Sequence, residues 1–354
     1  MHIIIVGGGA SGLLAALAIK RKHYDYDVTL IDRNNKLGKK LRATGNGKAN
    51  IANLGSIKNQ YSNETRAKIL FDDITCDKLL SFFNQNDIAT INYGNYVYPY
   101  SESAQMLTDT LIKNGLKLGV KYLKETKAID YHNHILKTDK GDIHFDKLII
   151  ASGLMSMPKL GADASFILNL KTHGYHIIDV VASLTPIRTV ETTKAVAGLR
   201  RKVNVKLVAN NKTYMDEDGE LLFKKDGLSG IVIFHASSIY LRRHLKDAKI
   251  IVDFLPHIKL NYPIDNYFQD TLASYLKHFK NVKEVEFHIK DLYGENDSVA
   301  SIGGVSLDDV DYNFASKIED DVYIIGEALN QDGLCGGFNL MWAFSSALKV
   351  SAII

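Results

Sequence analysis

Ile3-Ile4-Ile5-Val6-Gly7-Gly8-Gly9-Ala10-Ser11-Gly12 is the stretch that decides the fold of this chain. The first four residues form a short, β-branched apolar run, the pattern of a strand buried on both faces. The glycines that follow satisfy G-x-G-x-x-G. Leu13, Leu14, Leu17 and Ala18 then share one face of a helix, and Val28-Thr29-Leu30-Ile31 forms a second strand ending on Asp32. The fingerprint thus sits between a strand and a helix, with an acidic residue about 20 positions on. Gly7 permits the tight turn, Gly9 lets backbone approach a pyrophosphate, and Gly12 lets helix and strand pack closely. Ala10 and Ser11 open the helix, whose free N–H groups and positive dipole end suit phosphate. Asp32 can accept hydrogen bonds from a ribose diol. These features predict a dinucleotide site.

Outward from this unit, Arg33 to Asn50 is glycine-rich, polar and basic, and Arg33, Lys40, Gly45, Gly47 and Asn50 are the positions expected to close over the same diphosphate. Tyr61 to Asn92 reads as helical, Tyr96 to Ser101 as a strand and turn, and Ala104 to Asn114 as a helix. Tyr122 to Phe145 suggests a strand meander with turns at His132-Asn133 and Lys140-Gly141. Lys147 to Ile150 is another buried strand and runs into Ala151-Ser152-Gly153, a second small-residue turn at the ligand.

Pro186 to Ser301 changes character. Val203–Val208, Leu221–Phe223, Ile231–Phe234 and Ile250–Phe254 read as antiparallel strands, with a helix over Asp265 to Phe279. The chain then returns to its first theme: Val322 to Ile325 is a strand ending in Gly326-Glu327, where a carboxylate can bind a chain of hydroxyls. Asp332 to Asn339 is a third glycine turn, with Gly336 and Gly337 before a helix that includes Leu340. The expected fold is α/β: a discontinuous Rossmann-like FAD-binding domain of the glutathione-reductase type over 1–185 and 302–354. An inserted β-rich substrate or lid domain with a short helical part spans 186–301. NAD and FAD both fit the first fingerprint; the late Gly-Glu strand and its helix favour FAD, the helix facing the flavin pyrimidine.

Composition narrows the classes. At 354 residues two domains are natural, and a net charge of +3 does not itself argue for nucleic acid. Cys76 and Cys335 cannot build a disulfide framework and suit a reducing compartment. No apolar stretch is long enough to span a bilayer, and the N-terminus lacks a basic leader segment. The expectation is a soluble, cytoplasmic protein that does not engage membrane.

The chain resembles the BaiN/RdsA family of NAD(P)/FAD-dependent oxidoreductases, also described as aminoacetone oxidase family FAD-binding enzymes. The matching stretches are Ile4–Gly12, Leu37–Leu41, Thr44–Asn50, Tyr98–Ser101, Ala195–Leu199, Gly227–Gly230, Gly303–Leu307 and Gly326–Ser346. The resemblance implies non-covalent FAD, and adds Ala128, Asp332, Phe338 and Asn339 to the cofactor-binding positions. It implies reduction of a conjugated C=C bond, oxidation of a small amine with oxygen, or dihydrouridine formation in ribosomal RNA. Departures from the family pattern fall at Lys48-Ala49-Asn50, Lys224-Lys225-Asp226, Ile231 and Met341, and the helical part near 265–290 is shortened.

With one fingerprint, NAD(P)H would visit as a transient electron donor, or oxygen would reoxidise the flavin. Lys39, Lys40, Arg42, Arg200, Arg201, Lys202, Arg242 and Arg243 could offer RNA a basic surface, though a solvated face is the favoured reading. A flavin-binding sensor without turnover is the non-enzymatic alternative. No catalytic residue is assigned: Cys335, His235 and His257 each read more readily as structural, and Tyr98 and Tyr100 read at least as readily as core packing as they do as pocket lining. No spacing suggests a metal site. Substrate and oligomeric state are not legible.

Overall fold

Five parallel strands build the sheet that this first motif opens: β1 (His2–Val6), β2 (Asp27–Asp32), β3 (Lys121–Lys124), β4 (Lys147–Ile150) and β5 (Val322–Ile324). Their spatial order is β5-β4-β1-β2-β3, with Ile4 facing Leu148 on one side and Thr29 on the other. The computed structural model describes residues 1–354. Ile3, Ile4 and Ile5 are fully buried, as the apolar run requires of a central strand.

Helix α1 (Ala10–Lys22) packs on this sheet, and the C-terminal α3 (Phe338–Ile353) packs against α1. Every residue of α1 from Ser11 to Lys20 is buried, so it is apolar around its circumference rather than on one stripe. Lys20 is accommodated because its ammonium donates to the carbonyls of Tyr24 and Tyr26, 2.7 Å each. Helix α2 (Ala104–Lys117) also packs on α1 and is capped by Ser103, whose hydroxyl accepts from the Met106 N–H.

The chain divides into two compact units, Met1–Val181 with Ser301–Ile354, and Ala182–Ala300. The second is a closed six-stranded antiparallel barrel in the order 187–189, 227–229, 212–224, 200–209, 249–253, 285–292. Its separate core centres on Phe223, Phe254 and Phe287. The α/β class with a β-rich second unit is therefore as expected from the sequence.

Four local expectations are corrected. Ile231–Phe234 is not a strand but the first turn of a helix, Ile231–Arg242. Gly230 turns the chain at φ +107°, and Ala236, Ser237 and Ser238 let the continuing apolar run pack as a helix; a four-residue apolar run cannot separate the two states by itself. Tyr61–Asn92 is two helices, Glu64–Asp73 and Cys76–Asn84, followed by a strand, Thr90–Tyr93. The overlooked signals are the N-caps Asn63 and Thr75 and the Gly94-Asn95 turn, which joins Thr90–Tyr93 to Tyr96–Pro99 as a hairpin. The helix expected over Asp265–Phe279 is only Asp270–Leu276, preceded by a short 3-10 turn. Tyr122–Lys124, read as the start of a meander, belongs instead to the edge strand Lys121–Lys124 of the parallel sheet.

Phe223 stacks on Phe254 with ring centroids 6.0 Å apart and meets Phe287 edge-on. Phe223→Ala should cost ~3–5 kcal/mol, confined to the barrel. Hydrogen exchange would show faster exchange in 200–224 while β1 and β4 stay protected; uniform loss of protection would mean that the two cores unfold as one.

Candidate cofactor site

The carboxyl ends of β1, β2, β4 and β5 all open on one edge of the sheet, the usual ligand edge of an α/β fold. At β1, Gly7 adopts φ +112°, and a Cβ there would stand 2.4 Å from the Ala151 carbonyl oxygen. A Cβ on Gly12 would lie 1.9 Å from the Gly7 carbonyl oxygen. Gly9 differs: its backbone is extended, and no protein atom lies within 4 Å of its Cβ position. Asp32 binds this turn from β2. Its Oδ2 accepts from the Gly8 N–H at 2.7 Å and its Oδ1 from the Asn34 N–H at 2.7 Å.

The second and third glycine turns meet each other in this same unit. Gly45 and Gly47 lie at φ +58° and +84°, with Asn46 at +54° and the buried Ala49 at +57°. The run leads into Asn50 and Asn53. Asn53 donates to the Gly336 carbonyl at 2.7 Å, and a Cβ on Gly337 would strike the Ala52 carbonyl and Asn50 Oδ1. Tyr96 lies beside Gly336. The Asn339 amide closes the third turn on itself, accepting from the Gly333 N–H at 2.8 Å and donating to its carbonyl at 2.7 Å. Asn339 thus shapes the loop. Phe338 accepts from the Tyr61 hydroxyl through its carbonyl, and Asp332 is buried beneath the turn.

Gly326 joins the two ends of the chain. A Cβ there would lie 2.6 Å from Ser11 Oγ; the Trp342 indole donates to its carbonyl at 3.1 Å, and its own N–H donates to Ser346 Oγ. Next to it, Glu327 pairs with Lys40 at 2.5 Å. Ser156 donates to Glu327 Oε1 and accepts from Lys40, while the Ser301 N–H donates to Glu327 Oε1 at 3.1 Å. Gly153 lies alongside, its Cβ position 3.5 Å from Glu327 Oε2. Neither Ser156 nor Ser301 is marked by any sequence pattern. Arg33 lies apart, paired with Asp163 on the surface, and Ala128 is buried at the start of a hairpin opposite Thr138.

Helix ends carry the electrostatics. Neither α1 nor α3 has a side-chain N-cap or an acidic residue in its first turn, whereas Asn63, Thr75 and Ser103 cap the helices that follow them. The uncapped termini keep their N–H donors for an anionic or electron-rich partner. Asn50 Oδ1, Ser152 Oγ and Ser301 Oγ are buried without a hydrogen bond, an arrangement that costs about 1–3 kcal/mol per group until a ligand supplies partners. These donors and acceptors fit the phosphates, ribityl hydroxyls and ring edge of FAD.

The chemical candidates fare less well. Desolvation pushes the Cys335 thiol up to about 12 and the Cys76 thiol to about 11, so neither is a thiolate nucleophile near neutral pH. In the barrel unit, His235 is held by Glu217 at 2.8 Å and His257 by Asp218 at 2.9 Å on the surface. The departure at Lys224–Asp226 forms its own network: the Tyr293 hydroxyl donates to Asp226, and Lys224 and Arg188 lie over the Tyr293 ring at 4.1 and 4.2 Å.

Fold and family match together define a Rossmann-type FAD-dependent oxidoreductase. The chain belongs to the HI0933-like protein Rossmann domain family, which matches residues 1–352. It is 26% identical over 403 residues to the 3-dehydro-bile acid delta(4,6)-reductase of Clostridium scindens, covering 98% of this chain and 97% of that one. It is 24% identical to the ribosomal RNA dihydrouridine synthase of Haemophilus influenzae, covering 97% and 96%. The solved 3-ketosteroid delta1-dehydrogenase of Sterolibacterium denitrificans shares the fold, with a TM-score of 0.54 at 10% identity and 99% of each chain covered. No helix is long and apolar enough to cross a membrane.

The glycines separate structural from ligand constraints. Gly12→Ala should destabilise the chain by roughly 3 kcal/mol, since backbone rather than a movable side chain stands in the way. Gly9→Asp should melt like the wild type yet bind FAD about 100-fold more weakly, a loss of ~2.7 kcal/mol. Thermal melts and FAD titration check both; a Gly9→Asp variant with undiminished affinity would remove the first turn from the site.

Proposed function

We propose that the protein is a reductase that uses FAD to deliver a hydride to a conjugated C=C bond, with NAD(P)H as a transient electron donor. The observation that carries this reading is the end-to-end similarity to the 3-dehydro-bile acid delta(4,6)-reductase. When bound, FAD would supply the hydride chemistry at N5. The protein's part is to bind and orient. The uncapped end of α1 and the Gly7–Gly12 turn would hold the pyrophosphate, and Glu327 with Lys40 would meet the ribityl hydroxyls. The N–H groups of Phe338, Asn339 and Leu340 would face the pyrimidine edge, where their dipoles favour negative charge. The chain has one dinucleotide fingerprint, so the nicotinamide donor would leave before the substrate enters. The substrate is a small molecule with an enone-like conjugated system.

Dihydrouridine formation in ribosomal RNA has support from the 24% identical relative. The charge pattern favours it less. Arg42 is paired with Asp109 at 2.7 Å, Arg200 with Glu220 at 2.7 Å, and Lys40 with Glu327, so three of the cations considered for phosphate are already neutralised.

Anaerobic NADPH consumption by the FAD-loaded protein tests the proposal, with a conjugated 3-oxo steroid, unmodified ribosomal RNA and aminoacetone as separate additions. The expected result is NADPH oxidation accelerated at least tenfold by the steroid alone. Acceleration by RNA would replace the substrate assignment. Aerobic peroxide formation from the amine without NADPH consumption would replace the reductase itself, and flavin that no donor reduces would leave a sensor.

A further inference from the structure

Asp130, His132 and His173 bring one ligand atom each to within 4.8 Å of one another, on the first unit and apart from the cofactor turns. Asp130 and His132 are two residues apart on the strand Ala128–His132 and so project to the same side. His173 ends the 3-10 turn Leu170–His173, where Gly174 reverses the chain at φ +92°. No sequence spacing announces the group, because its third member is 41 residues beyond the second.

The arrangement around His173 is that of a metal ligand with its outer support. Its side chain is 2% exposed. Nε2 lies 2.8 Å from Asp130 Oδ1, and Nδ1 lies 3.0 Å from Glu319 Oε1 on the opposite side of the ring. Glu319 is itself fixed: the Tyr131 hydroxyl donates to its Oε2, and its N–H donates to Ser316 Oγ at 3.1 Å. Without an ion, Nε2–H donates to Asp130; with one bound, the Glu319 carboxylate on the far nitrogen would keep the proton on Nδ1 and turn the Nε2 lone pair toward the cation. Asn169 donates to Asp130 Oδ1 at 2.9 Å, which orients the carboxylate. The rings of His132 and His173 stack, with centroids 5.1 Å apart and planes 21° from parallel, so the His132 ring has to turn for its nitrogen to face the same point as Nε2. His132 is solvent-exposed, so it can swing to complete the set.

We infer that Asp130, His132 and His173 form a binding site for a divalent transition-metal ion of the zinc class, with Glu319 orienting His173. Two imidazole nitrogens and one carboxylate oxygen suit Zn²⁺, with water in the fourth position. The ion would tie together the 128–132 hairpin strand, the 170–173 turn and the 316–319 loop, segments far apart in sequence. The competing occupant of Nε2 is a proton donated to Asp130, and stoichiometric Zn²⁺ binding separates the two.

The test uses the full chain, stripped with EDTA and titrated with Zn²⁺ against a chromogenic chelator. One equivalent should bind and raise the melting temperature. His132→Gln, an exposed change that leaves the fold intact, should weaken binding at least tenfold and abolish the thermal shift. His134→Gln, at the neighbouring exposed turn, should change neither. Absence of stoichiometric binding, or equal losses from His132→Gln and His134→Gln, would overturn the assignment and leave the proton-bridged pair.

Discussion

The contact between Gly12 and the Gly7 carbonyl, with no room for a single methyl group between them, is the constraint on which the rest of the molecule depends. It brings the start of α1 hard against the end of β1, which points the helix terminus along the ligand edge of the sheet. From there Gly7 must turn at positive φ beneath Ala151, and Asp32 must hold the Gly8 N–H. A looser helix start would separate these groups and disperse the N–H donors proposed to meet the phosphates.

The second dependency is the return of the chain. Gly326 sits under Ser11, and Trp342 and Ser346 of α3 fix its carbonyl and N–H. Residues more than 300 positions apart thereby form one wall. The same closure sets Glu327 beside Lys40, so a carboxylate from the last strand and an ammonium from the first loop balance each other. The pair is partly exposed, with about a quarter of each side chain open, and so contributes little to stability compared with the apolar packing around it. Its value is positional.

Much of this was legible because it is local. The Ile3–Gly12 run, the β2 acid and the Gly326-Glu327 strand end each carry their own geometry in a few residues. The barrel strands at 200–209 and 249–253 announce themselves by alternation. What was not legible depends on tertiary context. The Ile231–Arg242 helix begins with an apolar run that suits either state, and the Lys40–Ser156–Glu327–Ser301 cluster draws on four separate segments. Thr75 and Asn63 did carry readable capping signals, which the wider apolar periodicity masked. Asn339 shows a subtler limit: its place in the motif was readable, but the closure of its amide on Gly333 was not.

The central claim is that the three glycine turns and the Gly326-Glu327 strand end form one FAD site. Equilibrium dialysis of the full chain against FAD, followed by the visible spectrum of the retained protein, tests it most directly. The account predicts one FAD per chain, with flavin absorption bands shifted from those of free FAD by the protein's fixed dipoles. Folded protein that retains no FAD would contradict it.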